Sequence, residues 1–328
     1  MKNIQVGVIG VGYLGRFHAQ KYAGLEGVDL VGVADVDSRQ SEQVAKECSC
    51  QNFTDYKKLL PVVDAVSIVV PTPLHHQVAG DCLDADVDVL LEKPMTVTLL
   101  EADDIIIKAK KKNLILQIGH LERFNPAVQA MEPFLTTPVF IESNRIATFK
   151  NRGADVDVVL DLMIHDIDII LNIIKSPIKT IHTVGAPVAT VNTDIANARL
   201  IFENGATANV TVSRISRTNV RMMRIFQPGS YINVDFGNKK VMTIQLSEKL
   251  REDSGMPKQV VKLRSFTDGD ALLSEITSFV QHVRKRTKPA VSGLEGRRAL
   301  DVALQVMDQI KEHQQLDLFK NFLQPKST

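Results

Sequence analysis

Residues Ile4 to Ile9 form a short apolar run that passes directly into Gly10-Val11-Gly12-Tyr13-Leu14-Gly15, and an acidic residue, Asp35, follows twenty positions after the last of these glycines. This spacing restricts the fold more than any other feature of the chain. Gly10 permits a tight turn after a strand, Gly12 lets backbone approach a pyrophosphate with no Cβ in the way, and Gly15 lets the next helix pack close to the sheet. A diphosphate would sit at the positive end of that helix, contacting the motif residues including Tyr13 and Leu14. Val28 to Ala34 reads as a second strand with Asp35 at its carboxyl end, where a carboxylate accepts hydrogen bonds from both ribose hydroxyls. A 2′-phosphate would be repelled there, so NAD is expected in preference to NADP. Arg39, shortly after that strand, could help hold a 2′-phosphate, but exposure on the next helix is the simpler expectation. Glycines recur in turns, so the motif counts here because a strand precedes it, a helix follows, and the acid comes at the expected distance.

At 328 residues the chain exceeds one ordinary domain and suits two. Its 44% hydrophobic and 23% charged residues are those of a soluble globular protein with a sizeable core. A formal net charge of +1 gives no long-range attraction to nucleic acid or an anionic membrane, and neither partner is expected. The amino terminus enters a strand within three residues, so no secretory signal is expected. No apolar run approaches the roughly 20 residues needed to span a bilayer. Cys48, Cys50 and Cys82 suit neither a disulfide framework nor a CxxC metal site, and reduced thiols in a cytoplasmic protein are expected.

Strand and helix patterns alternate up to about residue 120. Ala65–Val70, Val87–Leu91 and Leu114–Ile118 are short, nearly continuous apolar runs of the kind buried on both faces of a parallel sheet. Thr98-Leu-Leu-Glu101 is a capping box opening a helix that ends in the lysines 108 and 110–112, a solvated helix terminus. Beyond residue 120 the pattern changes to one very apolar helix, Val156–Ile174, and strands at Val139–Phe149, Ala196–Phe202, Ala206–Ser213, Val220–Phe226 and Tyr231–Phe236. Asn204-Gly205 signals a hairpin, and strands in succession imply an antiparallel or mixed sheet. Asp270–Lys285 and Ser292–Ile310 read as closing helices, the second opened by the capping box Ser292-Gly-Leu-Glu295. The domains are accordingly 1–120 and 121–328.

Glu92-Lys93-Pro94 ends the fourth of the apolar runs, and ligands of open parallel sheets bind at the carboxyl ends of strands. A lysine there can bind a substrate oxygen and share its proton; a surface lysine before a turn proline is the plainer alternative. On the apolar helix, Asp161, His165, Asp168 and Asn172 follow spacings of four, three and four and form one polar stripe. Buried polar groups are costly unless paired, so the stripe calls for an internal network or a functional cleft. A histidine one turn from a carboxylate, in a chain with a redox cofactor, suits acid/base work. Asp161, His165 and Asp166 could instead ligate a metal, but adjacent helical residues point about 100° apart and no second His/Cys cluster exists in the sequence, so no metal is expected.

Two further stretches are candidates for the cleft. Pro71-Thr72-Pro73-Leu74-His75 can touch the cofactor ribose through Thr72 and His75, or serve only as a rigid turn. His120-Leu-Glu-Arg123-Phe-Asn125-Pro126 lies at the domain junction and offers Arg123 and Asn125 to a substrate. Arg152, Arg214, Arg217, Arg221 and Arg224 could contact anionic groups, although an exposed basic face explains most of them equally well.

Taken together, GVIGVGYLG, ADVD, VPTPLHH, LLEKP and DLMIHDID resemble the Gfo/Idh/MocA oxidoreductases over nearly the whole chain. The resemblance implies an amino-terminal Rossmann domain with a doubly wound parallel sheet, and a carboxyl-terminal α+β domain whose large, open, mostly antiparallel sheet serves substrate binding and oligomer contacts. It implies NAD(P)-dependent oxidation of a sugar or cyclitol hydroxyl, with the family's catalytic lysine at Lys93 and its Asp and His at Asp161 and His165, and a cis Lys93–Pro94 bond. GHLERFNPAV, DLMIHDID, ARLIFENGATANVTVSRIS and RIFQPGSYINVDF look most like bacterial nucleotide-sugar dehydrogenases, which points to a substrate such as UDP-N-acetylglucosamine oxidised at its 3-hydroxyl; inositols are the alternative. In the expected mechanism His165 removes the hydroxyl proton while hydride leaves for the nicotinamide, Asp161 orients the imidazole, and Lys93 stabilises the developing oxyanion. Lys93 and His165 are thus expected to come from different domains and meet beside the nicotinamide. An NAD-responsive binding protein without catalysis would need neither. A sheet with one uncovered face would favour a homodimer or homotetramer.

Overall fold

The computed structural model describes residues 2–149, 156–250 and 257–315. The chain forms two compact units, Met1–Phe124 with Asp270–Leu300, and Asn125–Gly269 with Asp301–Thr328.

In the first unit the strands β1 (Ile4–Ile9), β2 (Val28–Ala34), β3 (Gln51–Phe53), β4 (Ala65–Ile68), β5 (Asp88–Glu92) and β6 (Leu116–Gly119) make one sheet in the order β3-β2-β1-β4-β5-β6. Every pairing is parallel, and the order reverses between β1 and β4, the Rossmann arrangement with its ligand crevice at that reversal. Apolar side chains of β1, β4 and β5 are buried on both faces because helices cover both: α1 (Tyr13–Ala23) packs on α2 (Ser38–Cys48), and α3 (His75–Asp84) on α4 (Leu99–Lys111). The capping box expected at Thr98 forms, Thr98 Oγ1 accepting the Glu101 N–H while Glu101 Oε2 accepts that of Thr98.

The expected division at residue 120 changes near the carboxyl end. Helix α7 (Ala271–Lys285) and the start of α8 (Gly293–Gln314) belong to the first unit, where Ile276, Phe279, Val280 and Val283 share a core with Val6, Val8, Ala19 and Tyr22. Ile276 and Phe279 are wholly buried there, which stabilises by about 1.5–3 kcal/mol each.

The second unit carries an eight-stranded sheet of β7 (Phe140–Thr148), β8 (Ile178–Ala186), β9 (Ile195–Phe202), β10 (Thr207–Ser216), β11 (Val220–Gln227), β12 (Ser230–Asp235), β13 (Lys240–Leu250) and β14 (Pro257–Ser265), in the order β14-β13-β12-β11-β7-β10-β9-β8. Only the central β7–β10 pair is parallel. Gly205 takes φ +89° in the β9–β10 turn, which a residue with a Cβ disfavours, so the Asn204-Gly205 signal marks a true hairpin. Alternation along β10 turns Ala208, Val210 and Val212 to the buried face, against which the apolar helical segment from Val158 packs. Helix α5 (Pro126–Met131) covers β12 and β13.

Candidate active site

The glycine loop is built as its spacing requires. Gly10 leaves β1 with φ +83°, and a Cβ on Gly15 would fall 1.9 Å from the Gly10 carbonyl oxygen, so α1 passes the strand end at a distance only glycine allows. Gly12 is exposed, and a Cβ on it would meet no atom within 4 Å. It caps α1 without a side-chain bond, and no acidic residue occupies the first turn, so the helix end presents its N–H groups to an anion. These residues fit the diphosphate of NAD. Tyr13 is 67% exposed and packs edge-on against Phe17, while Leu14 is half-buried.

Asp35 is bonded to two backbone groups of the chain. Its Oδ2 accepts the Val11 N–H at 2.8 Å and its Oδ1 that of Asp37 at 3.0 Å, while Gln40 Nε2 donates to the Val11 carbonyl at 2.9 Å. The carboxylate thus ties the end of β2 to the glycine loop and keeps lone pairs for hydroxyl donors. Arg39 is exposed.

At the end of β5, Lys93 is half-buried and its bond to Pro94 is cis. Glu92 turns inward: its Oε2 accepts the Lys93 N–H at 3.2 Å, and its Oε1 lies 3.3 Å from His18 Nε2 on α1. Gly119 on the adjacent β6 makes room, since a Cβ there would stand 2.9 Å from Glu92 Oε1. Glu92 thus lies beneath the peptide that bears Lys93. His75 is turned inward as well. Its ring is buried with Nδ1 2.8 Å from the Pro94 carbonyl and Nε2 2.9 Å from that of Val70, so it joins the two loops. Burial lowers its pKa below the ordinary histidine value, against the pull of those carbonyls. Thr72 is half-buried in the 3-10 turn Thr72–Leu74 that leads into α3.

In the second unit the expected regular helix begins as a π turn, Val159–Met163, with the Ile164 N–H bonded to the Val159 carbonyl, and continues as α6 (Ile164–Ile173). Asp161 lies inside the widened turn, a distortion often found at functional sites. Asp161, His165 and Asn172 are half-buried, while Asp168 is buried. Asp166 is buried as well, and Arg145 of β7 binds it bidentately, Nε to Oδ2 at 2.8 Å and Nη2 to Oδ1 at 3.1 Å, with Ser143 Oγ adding 3.0 Å to Oδ1. This pair, beside His165, escaped sequence reasoning. Ile141, Ser143 and Arg145 share the buried face of β7, and a charge on such a face was the available signal.

Arg214 is corrected from an anion contact to an internal brace. It is buried, its Nε lies 3.4 Å from Asp194 Oδ1, and its Nη2 donates to the carbonyls of Val156 and Thr193, at 3.0 Å in the second case. Asp194 also accepts the N–H groups of Val188, Ala189 and Thr190, so the brace fixes the chain entering the π turn. Arg224 pairs with Glu142 across the sheet, and Arg217 and Arg221 are exposed. Asn125, expected to bind substrate, caps α5: its Oδ1 accepts the Ala127 N–H and its Nδ2 donates to the Phe236 carbonyl at 3.1 Å. Arg123 is half-buried on the 3-10 turn Leu121–Phe124, and Arg152 lies outside the described residues. Among the described residues no three His, Cys, Asp or Glu side chains are grouped to hold a metal.

Residues 4–120 match a family model described as an oxidoreductase family with NAD-binding Rossmann fold, and residues 140–228 match the GFO/IDH/MocA carboxyl-terminal domain. A curated relative, UDP-N-acetylglucosamine 3-dehydrogenase of Acidithiobacillus ferrooxidans, is 39% identical over 308 residues, 93% of this chain and 97% of its own. The chain belongs to the Gfo/Idh/MocA oxidoreductases. A solved structure of that enzyme superimposes with a TM-score of 0.89 at 37% identity, covering 96% of this chain and 100% of its own. A second curated relative, myo-inositol 2-dehydrogenase of Thermotoga maritima, is 24% identical over 333 residues, 96% of this chain and 98% of its own. As in other Gfo/Idh/MocA proteins, the Rossmann domain binds NAD.

Proposed function

We propose that this protein is an NAD-dependent dehydrogenase of a nucleotide sugar, oxidising the 3-hydroxyl of UDP-N-acetylglucosamine. The observation that carries the reading is the 39% identity to an enzyme named for that reaction, extending over 93% of this chain and therefore over both units. The glycine loop, the uncapped end of α1 and Asp35 hold the cofactor. When bound, NAD supplies a hydride acceptor at the nicotinamide ring. The chain supplies binding and proton handling. His165 takes the proton of the sugar hydroxyl, and Asp161 orients its imidazole and favours the charged form that results. Lys93 binds the same oxygen and stabilises its developing negative charge. Arg123 and Arg152 offer cationic donors to the substrate.

The protein is cytoplasmic in this reading, in keeping with the free thiols of Cys48, Cys50 and Cys82, and among the described residues no helix is long and apolar enough to cross a membrane. It assembles as a homodimer or homotetramer, which light scattering would measure. Purified protein incubated with NAD and a panel of UDP-sugars and inositols, followed through the absorbance of the reduced cofactor, tests the substrate. Turnover confined to UDP-N-acetylglucosamine is expected; turnover of an inositol alone, or none, would sink the proposal.

A further inference from the structure

Beneath Lys93 lies a buried polar layer with a chemistry of its own. Ser67 of β4, Leu90 of β5 and Gln117 of β6 are neighbours in register, and Glu92 and Gly119 form the next pair on the same face. Helices α1 and α7 pack over this face. His18 and Tyr22 come from α1, and Glu275 comes from α7; Ser67, Gln117, His18, Tyr22 and Glu275 all have no exposure. Tyr22 Oη and Ser67 Oγ bond at 2.8 Å, and Gln117 Nε2 donates to the Glu275 backbone carbonyl at 3.2 Å. Neither carboxyl oxygen of Glu275 has a hydrogen-bond partner among the described residues, nor does Gln117 Oε1. Glu92 is the second carboxyl of the layer, 9% exposed, its oxygens on the Lys93 N–H and 3.3 Å from His18 Nε2.

Two carboxylates cannot both stay ionised in a closed interior; one takes up a proton. Glu92 has a backbone donor and a histidine beside it, and Glu275 has neither. We infer that Glu275 carries a proton at neutral pH and that Glu92 holds the layer's single negative charge, as a positioning residue that fixes the peptide bearing Lys93. As a neutral acid Glu275 gains an O–H to donate, and Gln117 Oε1 and the Glu92 carboxylate are acceptors of the same layer. Burial and the field of Glu92 both push the Glu275 carboxyl well above its ordinary range. The groups set against Glu275 are Tyr22 on α1, Glu92 on β5 and Gln117 on β6, while His18 on α1 stands beside Glu92. Lys21 of α1 pairs instead with Asp270 at 2.6 Å, and Glu122 and Arg123 stand half-buried on the 3-10 turn packed against α7.

The placement of the proton stands apart from the reading of Lys93 as catalytic; only the consequence for turnover rests on that reading. Infrared difference spectra of the full-length protein at neutral pH should show the carbonyl stretch of a protonated carboxylic acid that Glu275→Gln removes and Lys93→Met leaves in place. The sign of the stability effect follows from linkage. An unfolded chain ionises this side chain near its ordinary pKa while the folded one retains the proton, so wild-type stability falls as pH rises above that value. Glu275→Gln, an isostere of the neutral acid, should therefore raise the melting temperature, with a gain that is nil near pH 4 and grows towards pH 8. Absence of the infrared band, or a Glu275→Gln protein less stable than wild type at pH 8, would overturn the inference. Glu92→Gln should lower kcat at least tenfold with NAD affinity retained, and an unchanged kcat would remove the positioning role. Should Lys93→Met retain full turnover while the band is present, the catalytic reading fails and the proton assignment survives.

Discussion

Arg145 and Asp166 face each other through two nearly parallel N–H to oxygen bonds of 2.8 and 3.1 Å, and both side chains are almost wholly withdrawn from water. The guanidinium also lies 5.3 Å from the centre of the Phe236 ring, so its plane is held from two sides. Because Asp166 follows His165 directly, this grip on β7 sets where α6 stands and how the imidazole is aimed.

Breaking one half of that pair should be worse than removing both. Asp166→Ala leaves a buried guanidinium without its anion and should cost about 3–5 kcal/mol, whereas Arg145→Met combined with Asp166→Leu should recover most of it. Urea unfolding of Arg145→Met, Asp166→Leu and the double variant gives the coupling energy. Additive losses would show that the pair acts as two independent polar groups.

Gly12 and Gly15 should separate binding from folding. Gly15→Ala drives a Cβ onto the Gly10 carbonyl and should destabilise by about 1–3 kcal/mol or more. Gly12→Ala meets nothing within 4 Å, so it should fold within about 0.5 kcal/mol of wild type. It should nevertheless weaken NAD binding at least tenfold, about 1.4 kcal/mol, by placing a methyl group where the diphosphate approaches. Melting temperatures with and without NAD distinguish the two; equal NAD affinity of Gly12→Ala and wild type would contradict the loop's role.

His75 supplies an acid-side pH dependence. Burial keeps its folded pKa below the unfolded value of about 6.5, so the folded state resists a proton that the unfolded chain accepts. Its contribution is fully present above about pH 6.5 and is lost as pH falls through the folded pKa. Thermal unfolding between pH 5 and 7.5 should show wild type losing stability on acidification more steeply than His75→Gln. Parallel curves would mean that the ring titrates alike in both states.

On the proposed mechanism, removal of the Lys93 amine or the His165 imidazole should leave cofactor binding alone. Lys93→Met and His165→Ala should lower kcat by roughly 10²–10⁴-fold, the range for loss of a general acid or base, with the NAD dissociation constant within about twofold of wild type. Stopped-flow reduction of NAD and equilibrium titration provide the two numbers. A variant that loses NAD affinity and turnover in equal measure would mark its residue as part of the cofactor cradle.

Much of the first unit was legible because its strands are continuous apolar runs between turn signals. β3 was not, since Gln51–Phe53 is three residues long and largely exposed. In the second unit β8, β13 and β14 escaped for a related reason: β14 is exposed along its whole length, so no buried face imprints alternation on it. The cofactor loop could be read residue by residue because local backbone geometry demands its glycines. Asn125, His75 and Arg214 show that a polar residue near a site and a polar residue tying backbone look alike in one dimension. The pairing of Asp166 with Arg145 and the burial of Glu275 were missed for the converse reason. Glu275 falls three residues after Leu272 and four before Phe279, on the stripe that α7 buries, and a charge on that stripe was the sign to heed. The π turn left no mark, since an extra residue in a uniformly apolar segment does not disturb its pattern.

The return of α7 to the first unit orders events during synthesis. A ribosome that has finished β6 has still to make the whole stretch Asn125–Gly269 before Ile276, Phe279 and Val283 emerge. Throughout that interval the part of the core of β1 and α1 that α7 covers stays exposed, so a chaperone has a defined surface and a defined time in which to act, and a message truncated before residue 270 yields a product with an open seam.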